Sequence, residues 1–519
     1  MSVQQPANEQ WGSRIGLVLA MAGNAVGLGN FLRFPVQAAQ NGGGTFMIPY
    51  FISFILLGIP LMWIEWGVGR YGGRHGHSSV PGMFDVLTDR KKHFAKYFGV
   101  LGVIMPLIVF IYYTYIASWM LGFSFFSLTG KYFGLGDNVE ARADGVRTFL
   151  ASYQNVGDTT GIGGWVPVFF FAVTMVFLGW VLSRGISGGI EKLALYGVPV
   201  LFLFAIVLLV RILTLPEAAA SPSDGLNFIW NPQWGELGSA RVWVAAAGQM
   251  FFTLSVGMGS IQTYSSYLKR KDDVTLTGLS TAATNEFAEV VLGGTIAIPA
   301  AVVFFGVAGA TAIANNGSFD LGIVAMGTVL GEIGGSQIWG FIWFFLLFIA
   351  GVTSCVALAS PAIAFLQEEV GLTRRNAAKA ITGLGIGMGL FHVFFLQRGV
   401  LDEWDYWAGT FGLVIFAAIE IFLFSWVFGI NRGWDELHEG ADLKIPGFYK
   451  PVMKWVTPAF LAVLLVWWSY SEALPKLLMD GVPEENVPYL WTARFLMLAL
   501  ATVGIVLIKR SWARKELKG

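Results

Sequence analysis

The chain has 519 residues, of which 55% are hydrophobic and 13% are charged. Soluble globular domains carry about 25% charged residues, so this composition excludes that class and indicates a protein embedded in a membrane. Lysine and arginine balance aspartate and glutamate, 33 against 33, and this neutrality gives no reason to expect nucleic acid as a partner. The single cysteine, Cys355, excludes an intramolecular disulfide.

Hydrophobic runs of about twenty residues, the length that crosses a bilayer, occur twelve times along the chain. Their approximate bounds are 12–37, 44–69, 97–127, 164–183, 190–213, 242–267, 275–306, 337–366, 377–395, 403–428, 452–472 and 487–508. The sequence therefore predicts an all-α integral membrane protein with twelve transmembrane helices, in a single domain over residues 1–519.

Lysine and arginine concentrate in every second connection and in the C-terminal tail, a distribution typical of the cytoplasmic side. These residues are Arg70, Arg74, Arg90, Lys91, Lys92, Lys96, Arg184, Lys192, Lys269, Arg270, Lys271, Arg374, Arg375, Lys379, Lys509, Arg510, Arg514, Lys515 and Lys518. We therefore expect both termini in the cytoplasm and the long connections near 130–162, 214–240 and 308–335 outside. The polar segment 1–10 lacks the basic region of a cleavable signal peptide.

The first span contains a stretch that does not suit a continuous helix. Residues 23–35, GNAVGLGNFLRFP, include three glycines, two asparagines and an arginine. Each glycine weakens a helix by about 1 kcal/mol, and an unpaired backbone group in lipid costs several kcal/mol. The stretch predicts a broken helix whose freed backbone faces an ion or a polar substrate. Close helix packing would explain spaced glycines, but not Asn24 and Asn30.

A second stretch of this kind lies in the sixth span, five spans after the first. Residues 251–260 read FFTLSVGMGS. Interruptions at corresponding positions predict two inverted five-helix repeats, approximately 11–213 and 241–428, in which helices 1 and 6 are unwound at mid-membrane. Two additional helices, approximately 446–511, complete the fold.

Residues 24–35 and 251–260, with the eighth-span segment AGVTS at 350–354, resemble the neurotransmitter:sodium symporter family, most closely its bacterial leucine-transporting members. The resemblance extends over the full chain in span order. It implies sodium-coupled symport of hydrophobic neutral α-amino acids, aliphatic and also aromatic, into the cell by alternating access. It further implies a multi-pass protein of the prokaryotic plasma membrane, in contact with the lipid bilayer, and leaves a homodimer open.

The same resemblance implies two sodium sites built from neutral oxygens. The first would use the Ala25 carbonyl and the side chains of Asn30, Thr253 and Asn285, completed by the carboxylate of the substrate. The second would use the carbonyls of Gly23, Val26 and Ala350 with the hydroxyls of Thr353 and Ser354. A Thr-Ser pair can instead bond back to its own helix. Glu289 would supply the charge that chloride brings elsewhere in the family, so chloride is not expected.

Position 27 is a glycine, where monoamine transporters of the family carry an aspartate that holds the amine. The substrate is therefore expected to bring its own negative group, as an α-amino acid does. The implied substrate-binding residues are Asn24, Ala25, Leu28, Gly29, Val109, Tyr113, Phe252, Thr253, Ser255, Met258, Ser354 and Leu358. Met258 and Leu358 replace the phenylalanine and isoleucine of the leucine-transporting members. Since methionine is flexible, a pocket tuned to leucine alone is not expected.

Gates are implied at both ends of the pathway. Arg33 and Asp405 would form the extracellular ion pair, above a lid of Tyr113 and Phe252. Glu368 and Tyr267 would belong to the cytoplasmic gate. The arginine that the family carries before Trp11 is Asn8 here, so the partner of Glu368 is left open, with Arg14 or a lysine as alternatives.

Two other function classes are less well supported by the sequence. Glu65, Glu286, Glu289 and Glu420 fall within hydrophobic spans, where carboxylates are costly and usually face a cavity or a partner. A membrane-embedded enzyme could use such residues, but no nucleophile or metal motif accompanies them, so the chain is not expected to be an enzyme. A channel would show a repeated filter loop or a charged ring, and neither is found. His75 and His77 give a weak metal signal and are interpreted as solvated loop residues.

Overall fold

The computed structural model describes residues 9–90, 94–156, 163–317 and 319–516. These residues form helices and connections, without a strand, so the prediction of an all-α fold is confirmed. The helices are α1 Arg14–Ala25, α2 Gly29–Gln40, α3 Gly44–Arg74, α4 Val80–Leu87, α5 Ala95–Thr129, α6 Val139–Tyr153, α7 Val166–Ser183, α8 Ile186–Leu213, α9 Pro222–Trp230, α10 Ala240–Leu254, α11 Ser260–Ser265, α12 Val274–Asn316, α13 Leu321–Glu332, α14 Ser336–Val370, α15 Arg374–Arg398, α16 Val400–His438, α17 Tyr449–Leu477 and α18 Val487–Arg514.

Ten of the described helices are long and apolar enough to cross a membrane, namely α3, α5, α7, α8, α12, α14, α15, α16, α17 and α18. Helices α1 and α2 together pass the same test but are bent by 45° at the break between them. The sixth predicted span is divided between α10 and α11. The predicted span 275–306 ends where α12 kinks at Gly306, which has a φ of 68°, and the helix continues to Asn316.

Helices α5 and α14 pack along each other through the centre of the molecule, and α1 contacts α8, α12 and α14 there. A side chain at Gly351 of α14 would place its Cβ 2.8 Å from the Cβ of Ala117, so the glycine permits this close approach. Helices α7, α8, α17 and α18 expose large apolar side chains such as Phe169, Tyr196, Val463 and Phe495, as expected of lipid-facing helices. The broken helix α1–α2 therefore lies in the protein interior and not against lipid.

A buried arginine joins three segments at one end of the molecule. Arg70 of α3 is completely buried, and its Nε donates to the Glu436 carboxylate of α16 at 3.0 Å. Its Nη1 donates to the backbone carbonyls of Asp272 and Glu439, both at 2.7 Å. These bonds hold the connection between α11 and α12 against the end of α16. The guanidinium has five donors in a fixed fork, which is why one side chain can hold so many acceptors.

We expect Arg70→Ala to destabilise the fold by about 1–3 kcal/mol, because the Asp272 and Glu439 carbonyls lose this donor. Among the described residues, the Glu436 carboxylate keeps only Arg74 as an arginine partner. Thermal unfolding in detergent can be followed by reaction of a thiol-reactive dye with Cys355, which is buried in the folded protein. The exposed Arg241 offers a matched control, Arg241→Ala, whose melting curve should not move. An unchanged curve for Arg70→Ala would contradict this interpretation.

Candidate functional site

Two helix breaks face each other at the centre of the molecule. Between α1 and α2, Val26 takes an extended conformation with a ψ of 94°. Between α10 and α11, Ser255, Gly257 and Gly259 have φ values of 54°, 77° and 68°, which residues other than glycine rarely adopt. The Ser255 hydroxyl donates to the Asn24 carbonyl at 3.0 Å. A side chain of the second break therefore satisfies a backbone carbonyl of the first. Backbone groups that remain unpaired at the breaks can bind a ligand.

A small cavity lies where the breaks meet. Its lining residues are Asn24, Ala25, Gly27, Gly29, Asn30, Val109, Tyr113, Phe252, Ser255, Met258, Ser354 and Leu358. Ten of the twelve predicted substrate-binding residues are among them. The other two lie beside it: the Leu28 amide donates to the Tyr113 hydroxyl at 2.7 Å, and Thr253 belongs to the polar cluster described below. Gly27 and Asn30 line the cavity in addition.

Glycine at position 27 is required by the space around it. A Cβ there would lie 2.7 Å from the Ser354 hydroxyl oxygen and 2.8 Å from the Tyr113 hydroxyl oxygen. An aspartate at this position would therefore displace both side chains. None of the described residues that line the cavity carries a formal charge, so any charge inside it must come with the ligand.

A buried polar cluster adjoins the cavity and contains the residues predicted for the first sodium site. The Asn30 amide nitrogen lies 2.8 Å from the Asn285 amide oxygen and 3.3 Å from the Thr253 hydroxyl. The same Asn285 atom also lies 3.0 Å from the Ala25 carbonyl oxygen. Neutral amide, hydroxyl and carbonyl oxygens of this kind are ligands that suit a hard monovalent cation.

Glu289 completes this cluster. The Thr253 hydroxyl donates to one oxygen of its carboxylate, and the Gln249 amide donates to the other. Glu289 is completely buried. Gln249 was not predicted from the sequence, although it lies four residues before Thr253, on the same face of α10. That spacing within an apolar run is the signal that could have identified it.

The residues predicted for the second sodium site also come together. The Ser354 hydroxyl of α14 lies 3.3 Å from the Gly23 carbonyl and 3.4 Å from that of Asn24. The Thr353 hydroxyl bonds back to the carbonyls of Ile349 and Ala350, both at 3.0 Å. Val26 is completely buried at the end of α1. Ser354 therefore reaches across to the broken helix, whereas Thr353 makes the back-bonds that a threonine adopts without a ligand.

The donor sets of both sites fit sodium better than a transition metal. Among the residues that the structure describes, no group of three or more His, Cys, Asp or Glu side chains could hold a metal ion. Amide, hydroxyl and backbone oxygens are instead concentrated at the two breaks. Such oxygens bind hard cations.

On the side of Arg33, the predicted ion pair with Asp405 is not formed in this structure. The Arg33 guanidinium lies over the Phe252 ring, 4.4 Å from its centroid. The Asp405 carboxylate accepts from the Tyr112 hydroxyl at 2.6 Å. Each charge thus has another partner here, and the role of Arg33 and Asp405 as a gate stays a prediction. Tyr112 was not predicted, because Arg33 was expected to be the partner of Asp405.

At the opposite end of the pathway, Glu368 accepts from His77 Nδ1 at 2.6 Å and from the backbone amides of Ser78 and Ser79 at 2.8 and 2.9 Å. The interpretation of His77 as a solvated loop residue was therefore wrong, since the chain folds its ring against Glu368. Arg14 is exposed and does not take this place. Asn8, where the family carries arginine, lies outside the described residues.

A second contact at this end joins the amino-terminal segment to α15. Arg374 donates to the Glu9 carboxylate at 3.0 Å, and the Trp11 indole donates to the Tyr264 carbonyl at 3.2 Å. Tyr267, assigned to the cytoplasmic gate, follows α11 and is half-buried. The Glu191 carboxylate of α8 accepts from the Gly12 amide and the Ser13 hydroxyl, both at 2.7 Å. The start of α1 is thus anchored to three other helices.

Comparison with known proteins agrees with this architecture. A sequence model of the sodium:neurotransmitter symporter family matches residues 8–133 and 146–514. An uncharacterized sodium-dependent transporter of Methanocaldococcus jannaschii is 27% identical over 474 residues, which cover 88% of this chain and 89% of the relative. Sodium-dependent nutrient amino acid transporter 1 of Drosophila persimilis is 27% identical over 521 residues, which cover 89% of this chain and 75% of the relative.

One solved structure is similar to this chain over nearly the whole length of the solved chain. It is the crystal structure of MhsT in complex with L-phenylalanine, with a TM-score of 0.75 and 26% sequence identity. The similarity covers 88% of this chain and 99% of that one. The family match covers most of the chain and includes all the residues that form both helix breaks and the cavity, so this chain belongs to the sodium:neurotransmitter symporter family.

Proposed function

We propose that this chain carries hydrophobic neutral α-amino acids into the cell together with two sodium ions, by alternating access. Its family already makes it a sodium-dependent transporter and not an enzyme. The proposal adds the substrate class, the ion sites and the direction. The observation that carries it is the uncharged cavity at the two helix breaks, where a ligand must bring balanced charges of its own.

The polar end of the cavity suits the two charged groups of an amino acid. The carboxylate would lie at the start of α2, beside the amides of Leu28 and Gly29 and the Tyr113 hydroxyl, because helix starts favour anions. It would also complete the first sodium site near Asn30. The ammonium would face carbonyls at the breaks, including that of Ala25. The relatives named as amino acid transporters, and the similar structure bound to L-phenylalanine, support this substrate class.

The other end of the cavity is apolar. Val109, Phe252, Met258 and Leu358 line it, with the Ser354 hydroxyl as a polar exception. Burial of a substrate CH₂ here is worth about 0.8 kcal/mol, so we propose aliphatic and aromatic side chains as guests. A charged side chain would find no partner among these residues.

For alternating access we propose two closures. The outer closure consists of Arg33 over Phe252 and of Asp405 with Tyr112. The inner closure consists of Glu9 with Arg374, Trp11 with Tyr264, and Glu368 with His77. The inner contacts lie at the start of α1 and the outer contacts lie in and near α2, so the two sets are on opposite sides of the cavity. Opening one set therefore exposes the cavity to one side of the membrane. Tyr267 belongs to the inner set.

We further propose the orientation and organisation of the protein in the plasma membrane. The basic connections place both termini in the cytoplasm. Residues 11–213 and 241–428 would form two inverted repeats that move relative to each other, with the helices after 446 outside them. The breaks in α1–α2 and α10–α11 occupy corresponding places in the two repeats, which supports this division.

Sodium dependence is the first test of the proposal. Replacement of sodium by choline should abolish concentrative uptake in proteoliposomes. Asn30→Ala and Ser354→Ala each remove a ligand oxygen of an ion, worth about 1.5–3 kcal/mol, and should raise the half-saturating sodium concentration roughly tenfold or more. Thr174→Ala is the matched control, because the Thr174 hydroxyl bonds only its own helix, at 2.9 Å. Undiminished uptake in choline would contradict the proposal.

Chloride should not be required, because Glu289 holds a fixed negative charge against Thr253. Uptake in gluconate is expected to equal uptake in chloride. Glu289→Ser should lower uptake and make the remainder respond to chloride. Glu472→Gln, at an exposed carboxylate, serves as the control. It should change neither the uptake nor its lack of response to chloride. A chloride requirement in the unmodified protein would show that the role of Glu289 is wrong.

Selectivity should depend on Met258. Met258→Phe places a rigid ring in the apolar end and is expected to shift preference from aromatic toward aliphatic amino acids by about 1–3 kcal/mol. Met258→Leu keeps a similar volume and should leave the profile nearly unchanged. Competition binding with a panel of amino acids measures the selectivity profiles of both variants. Tight binding of glycine or glutamate by the unmodified protein, or an unchanged Met258→Phe profile, would refute the assignment.

A further inference from the structure

Another cavity opens near the end of α16, far along the chain from the two helix breaks. It lies where the backbone of α16 turns at Gly429, which has a φ of 96° and a ψ of 127°. The residues that line it belong to the segment 425–432 and to the first turns of α17. Two of them are charged, Arg432 and Lys454, and none of the described residues that line it is acidic. This cavity therefore has an excess of positive charge.

The protein neutralises these two charges only in part. Lys454 is half-buried and has no carboxylate partner among the described residues, and its Nζ lies 5.2 Å from the centroid of the Trp455 ring. The Arg432 guanidinium donates to the Asp89 carboxylate at 3.1 Å, but both side chains of this pair are about half exposed to solvent. An exposed ion pair contributes little to stability, so another anion can share the guanidinium at small cost.

An adjoining cavity shares Phe428 and Arg432 with this one, but its charges are balanced. Its three arginines face three carboxylates, namely Arg74, Arg270 and Arg432 against Asp435, Glu436 and Glu439. Arg74 forms ion pairs with both glutamates, and Arg270 pairs with Glu439. An anion would meet these carboxylates there, so the place that favours an anion is the cavity beside Lys454.

The rim of the cavity beside Lys454 is apolar and aromatic. Trp426 of α16 and Trp455 of α17 are both exposed, with their ring centroids 5.7 Å apart. Phe422 and Val456 continue this exposed surface along the same two membrane-spanning helices. Tryptophan is enriched at the boundary between hydrocarbon and headgroups, and lysine near a helix end extends its ammonium to that boundary. The cavity therefore opens at the depth of the phospholipid headgroups.

We propose that this cavity binds the headgroup of one anionic phospholipid. The phosphate oxygens accept from the Lys454 ammonium and from the Arg432 guanidinium, and the acyl chains lie along the exposed rings of Trp426 and Trp455. A lipid fits better than free phosphate because a basic pair and an apolar, lipid-facing surface occur side by side. The site is separate from the cavity at the breaks and from both ion sites, and it goes beyond the proposed transport function.

The proposed orientation of the protein places this site in the cytoplasmic leaflet, because Arg432 pairs with Asp89 in the basic connection between α4 and α5. Anionic lipids of that leaflet attract basic residues near the membrane surface. Binding in detergent does not depend on orientation or on sodium. A failure of the lipid site is therefore distinguishable from a failure of the transport proposal.

Native mass spectrometry of the purified protein in detergent tests the site, with added dioleoylphosphatidylglycerol or zwitterionic dioleoylphosphatidylcholine. The unmodified protein should bind one phosphatidylglycerol in preference to phosphatidylcholine. Arg432→Gln and Lys454→Gln should each weaken that binding about fivefold, the effect of one basic residue near an anionic lipid surface, and the double variant should lose the preference.

The matched control removes two exposed basic side chains at the start of α15, in Arg375→Gln/Lys379→Gln, and should bind phosphatidylglycerol as the unmodified protein does. Equal binding of the two lipids by the unmodified protein, an unchanged Arg432→Gln/Lys454→Gln double variant, or an equal loss in the control would each overturn the proposal.

Asp89→Asn should have the opposite effect, because it removes the carboxylate that competes with the lipid phosphate for Arg432. We expect phosphatidylglycerol to bind this variant about fivefold more tightly than the unmodified protein. Unchanged or weaker binding would contradict the assignment of Arg432 to the headgroup.

The unmodified protein gives a further measurement that needs no variant. A ligand that binds the folded state raises the unfolding temperature, which the reaction of a thiol-reactive dye with Cys355 reports. Phosphatidylglycerol should raise this temperature, whereas phosphatidylcholine and sodium phosphate at the same concentration should not. An equal rise with sodium phosphate would identify a site for a free anion and overturn the lipid proposal, as would an equal rise with phosphatidylcholine.

Discussion

Backbone amides and carbonyls that leave a helix inside a membrane must find partners, because an unpaired group costs several kcal/mol there. This constraint governs the centre of the molecule. The interruptions at 26–28 and 255–259 lie face to face, and Ser255 binds the carbonyl of Asn24. The groups that remain unpaired define the positions at which a substrate or an ion can bind. The cavity and the polar cluster both lie against these two segments.

The chemistry of the surrounding side chains follows from the same constraint. Neutral oxygens can bind a cation without a buried charge of their own, and Asn30, Thr253 and Ser354 supply them. Gln249 and Thr253 donate to both oxygens of the buried Glu289 carboxylate. The residues that line the cavity carry no formal charge. Charge is thus kept at the edge of the site, where donors can be arranged around it.

Much of this could be predicted from the sequence, because glycines and polar residues are costly in an apolar span unless they serve a binding site. Residues 23–35 and 251–260 predict the two interrupted segments in this way. The contacts at the two ends of the pathway could not be predicted. Arg374 and Glu9 are 365 positions apart, and no local pattern relates them. Tyr112 and Tyr113 are adjacent and chemically equal, so only the fold decides which one meets Asp405.

The central claim is that an amino acid and a sodium ion share one site at the breaks. Linkage then requires each ligand to tighten the binding of the other by the same factor. Equilibrium binding of radioactive sodium, measured with and without a saturating aliphatic amino acid, tests this most directly. The account predicts that the amino acid increases sodium affinity by the factor by which sodium increases amino acid affinity. Sodium binding that is indifferent to the amino acid would contradict it.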